Sequence, residues 1–323
     1  QSTSNQSAGA PSPVWTQFRG EIDNTSFGLY AQGTYALTDR LNLTLGGRWT
    51  HDEKGVTVQT AVRPVLGPAV ACLPLASTGD NNGDGAFTAE DCNRSRSDTW
   101  SSFDYTVVLD YDISDDVMVY AKHGTGFRAG AQQLRSLTLE DTTPAEPEQV
   151  TEQELGLKTS LLNGKLQFNV AGYHTKVKDA QRSVILSVGG VPQTILENAD
   201  VEIWGFEADF NVRVAPGLDV FGGYAHTDPS YERYDGFAVV NGVLSPFEKS
   251  DYGFNSVVRN QFNIGANYST DLGFGRLNLN ASYAWQGEML QVDAPIRVLT
   301  LPAVDGGSGL TDVAEAELLK ELA

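Results

Sequence analysis

Two stretches of the chain alternate apolar and polar residues over about ten positions each. In residues 41–50 the odd positions are leucine, glycine or tryptophan and nearly all the even positions are polar, and residues 276–285 repeat this pattern. A period of two residues is the side-chain repeat of a β-strand. Strands of soluble proteins usually have about five or six residues, whereas about ten residues are needed to cross a bilayer. Length and alternation together predict a transmembrane β-barrel.

A third strand carries charges on one of its two faces. Trp204, Phe206 and Phe210 share one face of residues 203–214, whereas Glu207 and Asp209 share the other. In a barrel, these charges would line a hydrated interior. A soluble β-sandwich would also alternate, with its apolar face turned inward, so alternation alone leaves both folds open. The length of the strands, the asymmetry of the loops and the aromatic strand ends favour the barrel.

Short turns and long loops alternate along the chain, which predicts about ten strands in five hairpins. Asn163-Gly164 is a typical type I′ turn, and the other hairpins close with similarly short turns. The longer connections are predicted at 54–98, 129–150, 179–200 and 228–256. This asymmetry is typical of outer-membrane barrels, which have short periplasmic turns and long extracellular loops. The predicted strands are 26–37, 41–53, 99–112, 117–127, 151–162, 165–178, 201–214, 218–227, 257–270 and 276–287.

Composition narrows the class of protein further. No run of eighteen apolar residues is present, so any membrane crossing must use strands. The net charge is −19, with 41 acidic and 22 basic residues, which speaks against a nucleic-acid partner and favours acidic surface loops. The two cysteines, Cys72 and Cys92, lie in one polar insertion and predict a loop-closing disulfide formed in an oxidising compartment. Two unrelated free thiols remain the alternative.

A calcium-loop pattern lies inside the same insertion. Residues 80–91 place oxygen ligands at the spacing of an EF-hand or dockerin-type loop, with Gly85 at the position of the sharp turn. Aspartate replaces the usual glutamate at the last position. A solvated loop rich in Asp, Asn and Gly is the alternative, because no flanking helices are evident. The candidate calcium ligands are Asp80, Asn82, Asp84, the backbone of Ala86, Thr88 and Asp91.

Ordered blocks of sequence resemble one known family. Residues 26–32, 37–41 and 45–50 look like the barrel strands of TonB-dependent outer-membrane receptors. The same holds for 119–130, 147–150, 154–158, 198–199, 205–207 and 223–228. The resemblance covers about residues 26–290. It implies energised import of a scarce nutrient, most often a ferric siderophore, through a large barrel in the outer membrane of a Gram-negative bacterium. It also implies a luminal plug domain and the TonB complex as partners.

The chain departs from the pattern of a complete receptor of this family. We find no N-terminal TonB box, no plug and no final strand ending in an aromatic residue. We therefore expect a C-terminal part of a barrel, truncated at both ends, that forms an open antiparallel sheet. The predicted organisation is a polar loop segment at 1–25, a partial barrel at 26–290 with an extracellular insertion at 54–98, and an extracellular tail with a short helix at 291–323.

Two functional interpretations remain open at the level of sequence. The first is ligand import, with loop and upper-lumen residues as contacts, because arginine suits anionic chelates and aromatic rings suit flat ligands. The second is a passive channel or a calcium-stabilised surface adhesion barrel. The sequence contains no nucleophile elbow, phosphate loop or convincing acid–base pair, so it does not predict an enzyme. Outer-membrane lipid is expected to surround the barrel. The candidate ligand contacts are Arg128, Arg182, Tyr231, Tyr234, Tyr252 and Arg259.

Overall fold

An open antiparallel β-sheet is the main feature of the computed structural model, which describes residues 14–64, 71–72, 88–134, 144–188, 191–240 and 243–291. The strands are β1 (Val14–Ala36), β2 (Leu41–Pro64), β3 (Ala71–Cys72), β4 (Asn93–Ser114), β5 (Val117–Arg128), β6 (Glu148–Ser160), β7 (Leu166–Val188), β8 (Val191–Ala215), β9 (Leu218–Val240), β10 (Val243–Glu248), β11 (Asn260–Asp271) and β12 (Arg276–Gln286). Ten long strands follow the order β1-β2-β4-β5-β6-β7-β8-β9-β11-β12, while two short strands, β3 and β10, pair with β2 and β9. Among the described strands, β1 and β12 form the two edges and do not pair with each other.

This arrangement confirms the predicted fold class, an all-β antiparallel sheet of about ten long strands that is not closed. Each hairpin turn lies close to its predicted position. At the turn between β6 and β7, Asn163 and Gly164 both have positive φ, 56° and 77°, as the Asn-Gly pair predicts. The five hairpin turns share one end of the sheet, called here the turn end. The longer connections share the opposite end, called the loop end.

The sheet has one apolar face and one polar face. Directly paired residues of neighbouring strands lie on the same face, so the registers Leu43↔Leu109 and Phe168↔Phe210 place these side chains on the apolar face. On the opposite, polar face the Asn42 amide donates to Asp110, and Lys122 Nζ lies 2.8 Å from Glu152 Oε1. An apolar exterior and a charged interior are the surfaces that a membrane barrel presents to lipid and to water.

Aromatic rings collect on the apolar face where the strands approach the loop end. Phe27 packs edge-on against Trp49, and Phe262 stacks on Trp285. His174 stacks on Trp204 with ring centroids 3.9 Å apart. Rings with an apolar body and a polar edge favour the membrane–water interface. The sheet beyond these rings therefore extends out of the bilayer.

Most strands continue further toward the loop end than the sequence predicts. β1 begins at Val14, inside the segment expected to be a polar loop, and β2 and β4 run to Pro64 and from Asn93, inside the expected insertion at 54–98. The expected loops at 179–200 and 228–256 are also largely strand, in β7, β8, β9 and β10. In residues 93–99 of β4 every side chain is polar, so no alternation marks this part of the strand although its backbone ladder with β2 continues. Residues 17–23 of β1 and 56–59 of β2 do alternate, and the predicted strands stop short of this signal.

The loop end of β2 carries a small closed core. Cys72 and Cys92 form a disulfide with an S–S distance of 2.09 Å, and both side chains are buried with Ala61 and Ala89. A short 3₁₀ helix, Ala89–Cys92, follows Thr88, whose side chain caps it. The helix predicted within 291–323 lies outside the described residues. No helix in the described part of the chain is long and apolar enough to span a membrane.

Candidate functional site

Four of the six predicted ligand contacts come together near the loop end. Tyr231 and Tyr234 are buried with Ala199 and Val201, and Tyr252 packs against this cluster. Arg182 lies over the ring of Tyr231. Residues from β7, β8, β9 and the segment after β10 therefore meet at one place, which becomes the candidate site.

Irregular pairing of β8 with β9 brings two tyrosines to the same side of the sheet. Tyr231 and Tyr234 are three residues apart, so a regular strand would turn them to opposite faces. The register shifts between the pairs Val201↔Tyr231 and Asp200↔Arg233, which leaves one extra residue on β9. Such a bulge re-aims the side chains that follow it. The two rings consequently lie 4.8 Å apart, centroid to centroid.

The first half of the site is a shelf of stacked planar groups, formed by Arg182, Tyr231, Tyr252 and Phe254 and called here the aromatic shelf. Tyr231 and Phe254 stack with centroids 4.7 Å apart. The Arg182 guanidinium lies 4.8 Å from the Phe254 centroid and donates to Asn255 Oδ1 at 2.6 Å. A guanidinium over aromatic faces gains about 0.5–2 kcal/mol, depending on how far it is desolvated. Arg182, Tyr252 and Phe254 are partly exposed and can therefore offer planar and cationic surface to a ligand, whereas Tyr231 is buried among them.

The second half is a buried charge cluster beside the shelf, formed by Glu197, Tyr234 and Lys249 and called here the knot. The side chains of Glu197 and Lys249 are 0% and 8% exposed, and Nζ lies 2.9 Å from Oε1. The Tyr234 hydroxyl donates to Glu197 Oε2 at 2.6 Å, and the backbone N–H of Phe237 donates to Oε1 at 2.7 Å. A buried ion pair is tolerated when additional hydrogen bonds satisfy its charges, as these do.

The knot fixes the segment that follows β10. The Lys249 backbone N–H donates to Tyr234 O, and Tyr234 N–H donates to Ser250 Oγ, both at 2.8 Å. At the other end of the segment, the Ser256 N–H donates to Leu290 O at 2.8 Å. Residues 249–256 thus return over the cluster and supply Tyr252 and Phe254 to the shelf.

A second segment of the loop end connects the long strands β2 and β4 on one side with the long strand β7 on the other. Residues 129–134 and 144–147 connect the shorter strands β5 and β6 and are called here the bridging loop. On the β2 side, Lys54 Nζ donates to Gly130 O at 2.9 Å, and Gln132 Nε2 donates to Asp98 Oδ2 at 2.9 Å. On the β7 side, Gln181 Nε2 donates to Ala129 O at 3.0 Å. The loop therefore holds together strands that are not neighbours in the sheet.

Close packing supplements these hydrogen bonds. A Cβ added to Gly130 would lie 2.5 Å from Trp100 Cζ2 and 2.6 Å from Ala145 O. Leu134 leaves no room for a side chain at Gly20 of β1, because an added Cβ there would lie 2.4 Å from Leu134 Cδ2. Glycine at both positions lets the bridging loop approach the strands.

Burial and ion pairing shift pKa values at the loop end. Burial lowers the pKa of the Lys54 amine. Burial raises the pKa of Asp200, but the N–H of Asp179 and the guanidinium of Arg233 outweigh this effect, so the pKa is lowered overall. Arg233 Nε lies 2.9 Å from Asp200 Oδ2 and Nη1 lies 2.9 Å from Asp235 Oδ2. Asp200, Arg233 and Asp235, called here the charged rim, thus form a network of paired charges at the loop end.

The two remaining predicted contacts pair with acidic neighbours outside the shelf. Arg128, the last residue of β5, lies 3.4 Å from Glu148. Arg259 lies 3.0 Å from Asp228. Both guanidinium groups are more than half exposed. Their role as ligand contacts stays a prediction.

The predicted calcium loop is only partly inside the described residues. Asp80, Asn82, Asp84 and Ala86 lie outside them. Thr88 and Asp91 lie within, where the Thr88 N–H donates to Asp91 Oδ2 at 2.6 Å as part of the helix cap. Within the described ranges, no group of three or more His, Cys, Asp or Glu side chains is placed to hold a metal ion. Calcium binding stays a prediction.

Sequence reasoning missed the knot. Glu197 and Lys249 are 52 residues apart, and both lie in segments predicted to be loops, where a charge is normally solvated. Phe254 and Asn255 were missed for the same reason. The residue types of Tyr231, Tyr234 and Tyr252 were the signal that led to the site, and no local pattern marks the charged partners Glu197 and Lys249.

Fold and site together define a class of protein. Long antiparallel strands with an apolar outer face, a charged inner face, short turns at one end and structured loops at the other are typical of bacterial outer-membrane β-barrels.

The family described as TonB dependent receptor-like, beta-barrel matches residues 1–313, and the chain belongs to this family. A ferric-pyoverdine 358 receptor from Pseudomonas putida is 30% identical over 121 residues, which are 36% of this chain and 14% of that receptor. The ferric yersiniabactin uptake receptor FyuA from Yersinia pestis has a TM-score of 0.59 and 17% identity, and the match covers 84% of this chain and 35% of FyuA. The copper transporter OprC has a TM-score of 0.54 and 16% identity, with 82% and 36% covered.

The chain therefore spans about a third of the length of these solved structures and a smaller share of the curated relative. Barrels of this family reside in the outer membrane of Gram-negative bacteria and are not enzymes, which confirms both expectations from the sequence. The loop end is accordingly the extracellular end. Because both identities are low, the likeness to FyuA and OprC supports the fold alone.

Proposed function

We propose that these residues are part of the barrel wall of a receptor that imports a ferric siderophore or a similar iron complex, energised by the TonB complex. The observation that carries the proposal is the aromatic shelf at the extracellular end, with Arg182 stacked on Tyr231 and Phe254. Planar rings favour flat chelating groups, and a guanidinium favours their anionic oxygens. The ferric-pyoverdine and ferric yersiniabactin receptors among its relatives support the same class of ligand.

Two alternatives compete with this proposal. The first alternative is import of a different metal, because a copper transporter shares the fold. A passive channel or a surface adhesion barrel is the other, and neither would need energy from the TonB complex. Uptake measurements separate all three, because only the proposed function combines iron-complex selectivity with energy dependence.

The decisive experiment measures uptake of radioactive iron or radioactive copper by cells that carry or lack the intact receptor. Ferric pyoverdine, ferric yersiniabactin and a copper salt are supplied under iron limitation, with and without an uncoupler. We expect receptor-dependent uptake of a ferric chelate that the uncoupler abolishes. Uptake that survives the uncoupler would favour a channel, and receptor-dependent copper uptake alone would favour the other cargo.

Substitution of the shelf sharpens the test. Arg182→Met removes the guanidinium and keeps most of the side-chain volume, so we expect a loss of affinity of roughly tenfold, equivalent to about 1.4 kcal/mol. Lys176→Met is the matched control, because Lys176 is half exposed and pairs with Glu232 on the outer surface. Equal effects of the two variants would exclude the shelf as the ligand site.

We also propose that residues 80–91 bind calcium. The spacing of their oxygen-bearing side chains supports this, and the Cys72–Cys92 disulfide closes the segment on both sides. Calorimetric titration of the intact receptor with calcium should show one site that Asp84→Ala removes. An equal response to magnesium, or no change in Asp84→Ala, would reduce the segment to a solvated loop.

A further inference from the structure

The buried knot is unusual at the rim of a barrel, where charges are normally solvated. Glu197 is fully buried and receives hydrogen bonds from Lys249, Tyr234 and the backbone of Phe237. Lys249 Nζ also lies 5.1 Å from the centroid of the Tyr234 ring. Of the six predicted ligand contacts, Tyr234 alone belongs to the knot, through its hydrogen bond to Glu197.

Its position in the chain suggests what it does. Lys249 is the first residue of the segment that returns over the cluster, and Tyr252, Phe254 and Asn255 follow within six residues. The Tyr252 N–H donates to Lys249 O at 2.9 Å, so the turn that carries the shelf begins on the lysine itself. Moving Lys249 would therefore move the shelf.

Packing around the pair leaves little freedom. A Cβ added to Gly236 would lie 2.8 Å from both Glu197 Oε2 and Lys249 Nζ. The pair is thus enclosed by the backbone of β9 on one side and by the Tyr234 ring on another. A knot with both carboxylate oxygens paired has one well-defined geometry.

We propose that Glu197, Lys249 and Gly236 are positioning residues that hold residues 249–256 in place before a ligand arrives. The knot preorganises the aromatic shelf, so a ligand meets a finished surface instead of ordering a loop. This inference rests on the proposed function only where it assigns ligand binding to the aromatic shelf. The geometry that the knot enforces can be tested without any ligand.

The test is a distance measurement by pulsed electron paramagnetic resonance on the intact receptor in lipid nanodiscs. Spin labels are placed at Ser183→Cys on β7 and Asp251→Cys on the returning segment, both of which are exposed, and free cysteines elsewhere in the receptor are replaced by serine. We expect one narrow distance distribution in the otherwise unaltered protein. Lys249→Met leaves a buried carboxylate without its cation, so the distribution should become broad.

Two further variants separate positioning from general damage. Glu197→Gln combined with Lys249→Met removes both charges and keeps an acceptor for the Phe237 N–H, so the narrow distribution should return. Gly236→Ala changes no charge but displaces the pair, so it should broaden the distribution, whereas Gly33→Ala, which has nothing within 4 Å of its added Cβ, should not. Heat-modified mobility on gels verifies that each variant still forms a barrel.

A narrow distribution in both Lys249→Met and Gly236→Ala would overturn the inference. Binding of ferric pyoverdine or ferric yersiniabactin is measured as the functional arm. We expect Lys249→Met to weaken, at least tenfold, the affinity for whichever chelate the unaltered receptor binds. Lys176→Met should leave that affinity unchanged. If neither chelate binds but the distances respond as expected, the proposed ligand class fails and the positioning role stands. If binding occurs and the distances do not respond, the positioning role fails alone.

Discussion

The aromatic shelf and the bridging loop both cover the extracellular end of the same sheet, but different chemistry holds them. In the knot beside the shelf, both carboxylate oxygens of Glu197 are paired and buried. In the bridging loop, the side-chain amide of Gln132 donates to Asp98, and Gln181 of β7 donates to the loop backbone, while the buried Oε1 atoms of both glutamines have no hydrogen-bond partner among the described residues. A fully paired buried charge fixes one geometry, whereas a half-satisfied amide network can rearrange at smaller cost. The comparison indicates a preformed shelf and a more adaptable bridging loop.

The largest expected effect comes from removing the anion of the knot. Glu197→Ala leaves Lys249 buried without a counter-ion, which typically costs about 3–5 kcal/mol. We expect hydrogen exchange of residues 249–252 to accelerate accordingly, with little change in residues 129–134. Acceleration of the bridging loop by the same factor would show that the two regions unfold together.

A smaller effect is expected from crowding the bridging loop. Gly130→Ala drives a Cβ against Trp100 and the Ala145 carbonyl, and overpacking of this kind costs about 1–3 kcal/mol. Exchange of residues 129–134 should accelerate while the shelf keeps its protection. Gly126→Ala is the matched control, since its added Cβ would meet Val150 at an ordinary 3.6 Å. An unchanged rate in Gly130→Ala would contradict the packing described for the loop.

Loss of the Lys54 cation should weaken the bridging loop only modestly. Lys54→Met removes the bonds to Ala129 O and Gly130 O, but burial already lowers the pKa of this amine, so part of the loss is offset by relief of its desolvation. We expect a net cost of about 1 kcal/mol. Hydrogen exchange of residues 129–134 at neutral pH measures this change in the stability of the loop. A cost as large as that of Glu197→Ala would remove the distinction between the two regions.

The smallest effect concerns the charged rim and depends on pH. The pKa of Asp200 is lowered overall in the folded protein, so its stabilisation is complete above the ordinary value of about 3.9 and is lost as pH falls through the lowered pKa. The pair with Arg233 is half exposed on the arginine side, so we expect about 0.2–1 kcal/mol. Asp200→Asn should lose this amount at pH 7 and show a flatter profile below pH 4. Identical profiles would exclude a role for the pair.

The part of the fold inside the bilayer could be predicted from the sequence. Residues 41–50 and 276–285 alternate because lipid and water impose different side chains on the two faces of a strand. The turn at Asn163-Gly164 could be predicted because few residue pairs adopt two positive φ angles. Both signals are local, so a single sequence contains them.

The extracellular end could be predicted only in part. Residues 93–99 of β4 are all polar and carry no alternation, so the length of this strand was underestimated. Tyr231, Tyr234, Tyr252 and Arg182 were found because aromatic and cationic residue types are informative by themselves. Their charged partner Lys249 was not, because contact with Glu197 depends on a bulge and on a pairing of distant segments.

Hydrogen exchange of the two regions in the intact receptor without ligand tests most directly whether the shelf is preformed. We expect amides of residues 249–252 to exchange at least tenfold more slowly than those of residues 129–134, because the knot fixes the first segment and a rearrangeable amide network holds the second. Equal rates, or faster exchange in residues 249–252, would contradict a preformed aromatic shelf.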